Sequence, residues 1–432
     1  MIAFDDAPLK RIHLRVMACG TGGQFSDGYS LGIIGIVLSM ATGPLHLDSW
    51  WIGALGTASL VGLFAGSSCA GPLIDRIGRR PIFAWDMLVF ALFAVLQFRV
   101  HSAGELLVIR LLLGFSLGFD YVTSNALITE TSPTRTRGRL LSVLAVAWAS
   151  GYVCAYFVGY VVRNGGPDAW RWALLSSAVP SGITFLFRLG IPESVPWLAS
   201  KGYTGKARAI IDRYIGADVA LPLVAERPEV TRASARSLFT SPLRQRLLIG
   251  CLFYTAQVIP FFALGTYLPI VMTKLGVEDA YTGGLIFNIL LLGGSIVGLL
   301  IIDRITRRSF LVGAFILMAA LMALLGYWHS APSLVIIGIF ASFAFVLSAA
   351  ANLEFVYPPE LFPTEVRGTG VGMVIACSRV GSAFSTFLLP TLVDRYGIHS
   401  SLVTCMAIMI AAAVACQIWA PKPAGRHSLE AV

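Results

Sequence analysis

The stretch 130–138 reads ETSPTRTRG, and far along the chain 360–368 reads ELFPTEVRG. Both fit E-x-x-P-T-x-x-R-G, with an offset of about 230 residues. A second motif recurs at nearly the same distance: DRIGRR at 75–80 and DRITRR at 303–308 are separated by about 228 residues. Two different motifs sharing one offset predict a duplicated unit whose halves run in the same direction.

The solvent of that unit follows from composition. The chain has 432 residues, of which 56% are hydrophobic and 13% charged. A soluble domain carries about 25% charged residues. Apolar runs of about 18 to 27 residues recur along the chain, each long enough to cross a hydrocarbon core of about 30 Å as a helix. About twelve such spans are expected, at 14–40, 50–71, 82–99, 105–129, 140–162, 170–191, 246–272, 281–303, 310–328, 333–357, 367–392 and 399–420. The fold class is therefore an all-α membrane protein of two six-helix bundles related as parallel repeats. Residues 1–191 form the N-terminal bundle, 192–245 a charged cytoplasmic linker, and 246–432 the C-terminal bundle with a short tail. Within the linker, GKARAIIDRYIG reads as a short amphipathic surface helix. The opening MIAFDDAPLK lacks a small-residue cleavage site and leads into a run too long for a signal sequence, so the first helix is expected to stay attached.

The net charge of +9 does not point to nucleic acid. With the N-terminus placed inside, roughly 25 of the Lys and Arg residues fall in cytoplasmic segments and roughly 5 in external loops. That asymmetry places both termini in the cytoplasm and the chain in the inner membrane, with anionic lipid headgroups as the basic surface's partner. The seven cysteines all fall in spans and form no C-x-x-C pair, which reads as small apolar packing. The six histidines lie in loops, tails or span ends, so a mid-membrane imidazole relay is not expected. There is no G-x-x-x-x-G-K-[ST] loop for ATP, no metal-ligand cluster and no Ser-His-Asp set, which argues against an enzyme and implies no cofactor and no metal.

GPLIDRIGRRP (71–81), RLLLGFSLG (110–118), PESVPWL (192–198) and the doubled E-x-x-P-T-x-x-R-G together resemble the major facilitator superfamily over essentially the whole chain. PESVPWL and ELFPTEVRG are similar to its sugar-porter branch, whereas DGYS in span one and SRVG in span eleven are more like the aromatic-acid and metabolite:proton symporters. The tail PKPAGRHSLE (421–430) resembles the P-E-T-x-G-x-x-L-E ending of both. The resemblance implies a monomeric secondary transporter working by alternating access, driven by an ion gradient. Two bundles rock about a central site, and a cytoplasmic seam closes and reopens.

The doubled motifs fit that seam. Asp75, Glu130, Glu193, Asp303 and Glu360 sit at cytoplasmic helix ends near Arg79, Arg80, Arg137, Arg307, Arg308 and Arg367, so ion pairs across the bundles are expected to lock an inner gate. Gly71 is expected to permit close helix approach, and Pro133 and Pro363 to end their helices. The alternative for the arginines alone is topology-setting charge.

Ionisable groups inside spans are costly and functional by default. Span one carries Gly20, Gly23, Gln24, Asp27 and Ser30 at spacings of three and four, a polar stripe on one helix face, with Tyr29 beside it. Span four carries Arg110, Gly114, Gly118, Tyr121 and Asn125 at helical spacing, with Asp120 about 80° from Arg110 and ~15 Å along the axis. In proton-coupled sugar porters a span-one Asp beside a span-four Arg carries the coupling. Arg110 matches that Arg, but Ser30 occupies the acid's position and Asp27 lies one turn earlier. The resemblance therefore implies coupling through Asp27, Arg110 and Asp120, with Asp27 and Asp120 as rival proton carriers. The alternative for Asp27 is a permanent ion pair with Arg110 or Arg379. Asp86, at the start of span three, reads as a helix N-terminal acid.

In the second half Arg379 lies ~18 Å inside span eleven and requires an anion. Gln257, Asn288, Asn352 and Glu354 are its polar neighbours, although only one of Asn352 and Glu354 can face a common cavity. Span seven holds Pro260, Gly265 and Pro269 and is expected to break, with Tyr267 able to grip a ring face. The expected activity is proton-coupled uptake of a small polar solute, foremost an organic acid held by Arg379. A sugar or polyol is the alternative, followed by export of drugs or metabolites and by a membrane sensor without flux.

Overall fold

A chain with this hydropathy closes its backbone hydrogen bonds within helices, since lipid offers no partners. The computed structural model bears this out. It describes residues 2–222, 238–240, 243–302, 304–362 and 367–420, without the side chains of residues 5, 72, 134–139, 141–142, 355, 359 and 367–369. The chain divides into two units, Met1–Pro228 and Glu229–Val432.

Unit one contains α1 (Arg11–Ala41), α2 (Ser49–Ile77), α3 (Arg79–Leu96), α4 (Ala103–Thr131), α5 (Thr134–Val162), α6 (Ala169–Ser176), α7 (Ala178–Arg188), α8 (Val195–Ser200) and α9 (Thr204–Tyr214). Unit two contains α10 (Leu243–Thr266), α11 (Leu268–Lys274), α12 (Ala280–Ile301), α13 (Arg307–Tyr327), α14 (Ser333–Ala351), α15 (Leu353–Leu361), α16 (Arg367–Tyr396) and α17 (Ile398–Trp419). The expected spans map onto these with three of them broken: span six is α6 with α7, span seven α10 with α11, and span ten α14 with α15.

Two of the breaks have a local cause. Pro260 is carried inside α10, and the interruption falls at Tyr267, two residues before Pro269 in the first turn of α11, where a missing N–H is harmless. Asn352 ends α14, and its amide donates to the carbonyls of Ser348 and Ala349 that the broken helix leaves free. Nine stretches among the described residues are long and apolar enough to cross a membrane. Helix α1 is not among them, because its glycines, Gln24, Ser26, Asp27 and Ser30 dilute its hydropathy. Large apolar side chains such as Leu92, Phe187, Leu300 and Phe384 lie exposed, as a lipid-facing surface requires.

The duplication is visible in helix pairing. In unit one α1 packs along α5, α2 along α4, and α3 along α7. In unit two the corresponding pairs are α10 with α16, α12 with α14, and α13 with α17. Close approach depends on glycine in both. A Cβ on Gly66 of α2 would stand 2.0 Å from the Phe115 carbonyl oxygen of α4, and one on Gly294 of α12 would stand 2.1 Å from the Phe345 carbonyl of α14. Gly66→Leu must force α2 away from α4, so we expect a loss of about 1–3 kcal/mol or more from overpacking. Thermal unfolding in detergent at an unchanged midpoint would contradict this.

The segment expected to lie on the membrane surface does something else. Helix α9 forms within it, but its apolar face, Ala207 and Ile211, is buried against Phe4, Ala7, Val195, Leu198 and Val219. The N-terminal residues close this cluster through hydrogen bonds from the Ile2 amide to the Asp218 carbonyl and from the Ala220 amide to the Ile2 carbonyl.

Candidate functional site

In unit one the polar stripe of α1 is turned inward, with Gln24, Asp27 and Ser30 all buried. Facing it are Asp86 of α3, Asp120 of α4 and Arg188 at the end of α7. Arg188 has no solvent exposure of its side chain and bonds Asp86 at 2.9 Å and Asp120 at 2.6 Å. It also donates to the carbonyls of Phe83 and Cys19 and to the Ser124 hydroxyl, and its guanidinium lies 3.8 Å from the Phe83 ring centroid. The Ser124 hydroxyl donates in turn to Asp120 at 2.8 Å. Gly23 makes room for this arrangement, since a Cβ there would fall 2.0 Å from an Arg188 nitrogen and 2.4 Å from an Asp120 oxygen.

Two sequence expectations are corrected here. Asp86 is not a helix N-terminal acid held by the dipole; it is buried and bonded to Arg188. Arg110 does not pair with Asp27. It is fully buried, and its guanidinium donates to the Ser30 carbonyl at 3.2 Å and to the Gln97 side chain at 3.5 Å, both neutral. Of the residues Asp27, Arg110 and Asp120, the fold joins the two acids and leaves the arginine elsewhere. Sequence reasoning missed Arg188 because an arginine at the cytoplasmic end of a span reads as topology-setting charge.

Tyr29 and Asn125 of unit one have local partners. The Tyr29 hydroxyl shares a 2.7 Å hydrogen bond with Ser176, and the Asn125 amide donates to the Tyr121 carbonyl of its own helix. Tyr121 and Asn125 are half-buried. Gly114 and Gly118 pack against α2, beside Ser59 and Ser67.

In unit two Glu354 interacts with Arg379 and accepts a hydrogen bond from Tyr254. Both Glu354 and Arg379 are half-buried. Asn352 points the other way and donates to the Ser295 carbonyl of α12 at 3.1 Å, which makes it a helix-joining residue. The Gln257 amide donates to the Leu347 carbonyl and the Asn288 amide to the Gly284 carbonyl, while both side-chain oxygens are buried without a donor. Tyr267 is buried and donates to the Thr386 carbonyl at 2.9 Å.

The gate residues form networks inside their own units. Arg79, almost fully buried, bonds Asp75 and Glu130 at 2.9 Å each and donates to the Ile74 carbonyl. Glu193 accepts from the backbone amides of Arg79 and Arg80 and so caps the start of α3, where a carboxylate meets the positive end of the helix. The Ser194 hydroxyl donates to Glu130 at 2.5 Å and the Trp197 ring N–H to the Asp75 carbonyl. In unit two Arg307 lies 3.4 Å from Glu360, and Arg308 donates to the Gln417 carbonyl. A Cβ at Gly71 would meet nothing within 4 Å, so no close contact depends on that glycine in this structure. Asp303, Pro363, the side chains of Arg137 and Arg367, and the 421–430 tail lie outside the described residues.

Two units with the same internal helix pairing, each holding ionisable side chains within its spans, define a multi-pass membrane transporter of major facilitator type rather than an enzyme. The chain belongs to the sugar (and other) transporter family, whose model matches residues 16–426. It is 37% identical to the inner membrane metabolite transport protein YgcS of Escherichia coli (strain K12), covering 98% of this chain and 94% of that protein. The niacin transporter NiaP of Acinetobacter baylyi is 26% identical over 99% of this chain and 98% of its own, and the arabinose-proton symporter of Bacillus subtilis (strain 168) is 27% identical over 91% and 89%. Among solved structures, the xylose transporter XylE from E. coli in a partially occluded inward open conformation superposes with a TM-score of 0.81 at 19% identity, covering 96% of this chain and 99% of that one. That likeness concerns the fold.

Proposed function

We propose that this transporter takes up a small polar organic solute together with protons, with both termini in the cytoplasm and one chain sufficing. The observation that carries the coupling is the buried group of Asp27, Asp86, Asp120 and Arg188, in which acids outnumber the cation. Titratable carboxyls held out of water are what a proton-driven cycle requires, and no ATP-binding loop competes as an energy source.

The solute reading rests on unit two. Arg379 is a permanent cation inside a span and suits a carboxylate, and one relative is named for niacin, an aromatic carboxylic acid. Gln257 and Asn288 offer amide groups to further polar atoms of the solute. A sugar or polyol is the second reading. Glu354 already answers Arg379, and an acid-amide lining with Tyr254 suits hydroxyl groups equally well.

Thermal unfolding of the purified protein with small carboxylates, sugars and polyols separates the two. A ligand at 100 times its Kd stabilises by about 2.7 kcal/mol. We expect the largest shift from carboxylates and its disappearance in Arg379→Ala. A shift with sugars or polyols alone would assign Arg379 to an internal ion pair and remove the organic-acid reading.

A further inference from the structure

The charge count in unit one does not close. Asp27, Asp86 and Asp120 face one guanidinium, that of Arg188, so the fully ionised group carries a net charge of minus two in a region almost closed to solvent. Arg110 does not correct this, because its partners are a carbonyl and an amide.

The oxygens that Arg188 leaves unanswered show where the deficit sits. Asp120 uses one carboxyl oxygen for Arg188 and Ser124, and Asp86 uses one for Arg188. The second oxygen of each, and both oxygens of Asp27, are buried without a donor. Yet Asp120 lies within hydrogen-bonding reach of Asp27 on one side and of Asp86 on the other. Two carboxylates cannot hydrogen-bond one another, and each such contact needs a proton. A metal ion does not fit the same place: among the described residues no three His, Cys, Asp or Glu side chains converge to hold one.

We infer that Asp27 and Asp86 each carry a proton donated to the central carboxylate of Asp120, which Arg188 holds ionised, so that the cluster is a two-proton site. The balance is complete: two protonated acids, one carboxylate and one guanidinium sum to zero, and each proton answers a contact otherwise left repulsive. Asp27, Asp86, Asp120 and Arg188 come from α1, α3, α4 and α7, and the charged groups acting on Asp27 are Asp120, Arg188 and Asp86. From α5 the Trp148 and Tyr152 carbonyls lie against Gly28 and Gly32 of α1. Gly23 seals the cluster, since no side chain fits between α1 and the Arg188–Asp120 pair. Arg188 acts as a positioning residue here, fixing which of the three acids stays ionised.

The inference rests on the proton-coupled reading and adds to it the place and number of the protons. Infrared spectra of the full-length protein in detergent, compared in H2O and D2O across a pH series, read protonated buried carboxyls directly and need no solute. We expect Asp27→Asn and Asp86→Asn each to remove about half of that carboxyl signal, and the double variant nearly all of it. A signal unchanged in either single variant overturns the inference. Where an Asn variant fails to fold, Asp27→Glu and Asp86→Glu keep the carboxyl and displace its stretching band, and a band that does not move overturns it equally. Uptake into liposomes of whichever solute raises the unfolding temperature tests the underlying reading separately. Assigned protons together with gradient-independent uptake would keep the site and remove the symport.

Discussion

Arg188→Ala is expected to destabilise the protein by about 3–5 kcal/mol, the cost of stranding a buried charge whose partner has been removed. The loss falls chiefly on Asp120, the carboxylate that this guanidinium meets at 2.6 Å, while Asp86 loses a donor at 2.9 Å. Arg188→Lys should recover only part of it. An ammonium keeps the charge but cannot meet Asp86, Asp120 and the carbonyls of Phe83 and Cys19 in one planar fork. Thermal unfolding in detergent checks both, and an Ala variant as stable as the parent would mean that the acids around Arg188 do not depend on it for charge.

The second large effect is functional. In Asp27→Asn the side chain is nearly isosteric and its amide can donate to the free Asp120 oxygen, so the fold should survive with the proton permanently mimicked. Accumulation against a gradient should then fall while exchange of labelled solute across the membrane persists. Each proton moved with the solute adds about tenfold accumulation per unit of pH gradient, so the variant, left with Asp86 alone, should lose about one such factor. Accumulation undiminished in Asp27→Asn would place the coupling elsewhere.

Much of the architecture could be read along the chain. Hydropathy and the positive-inside pattern are one-dimensional, so the spans and the first-half and second-half repeat appear directly in the residues, and Pro269 marked the break in span seven. Helix phase was also legible, and it placed Gln24, Asp27 and Ser30 on one buried face and set Glu354 apart from Asn352. Residue spacing also ruled out an Arg110–Asp120 pair, ~15 Å apart on one helix.

Partners across helices were not legible, because periodicity fixes the face a residue occupies on its own helix and says nothing of which helix lies opposite. Asp86 at a helix start and Arg188 at a helix end each satisfy a local rule, so the sequence offers no reason to join them. The sequence by itself determined an all-α, internally duplicated membrane transporter with acids inside its spans. Only the tertiary structure decided that α7 delivers Arg188 to Asp86 and Asp120 while Arg110 is held by neutral groups, since that choice depends on helix rotation and on the space that Gly23 leaves open.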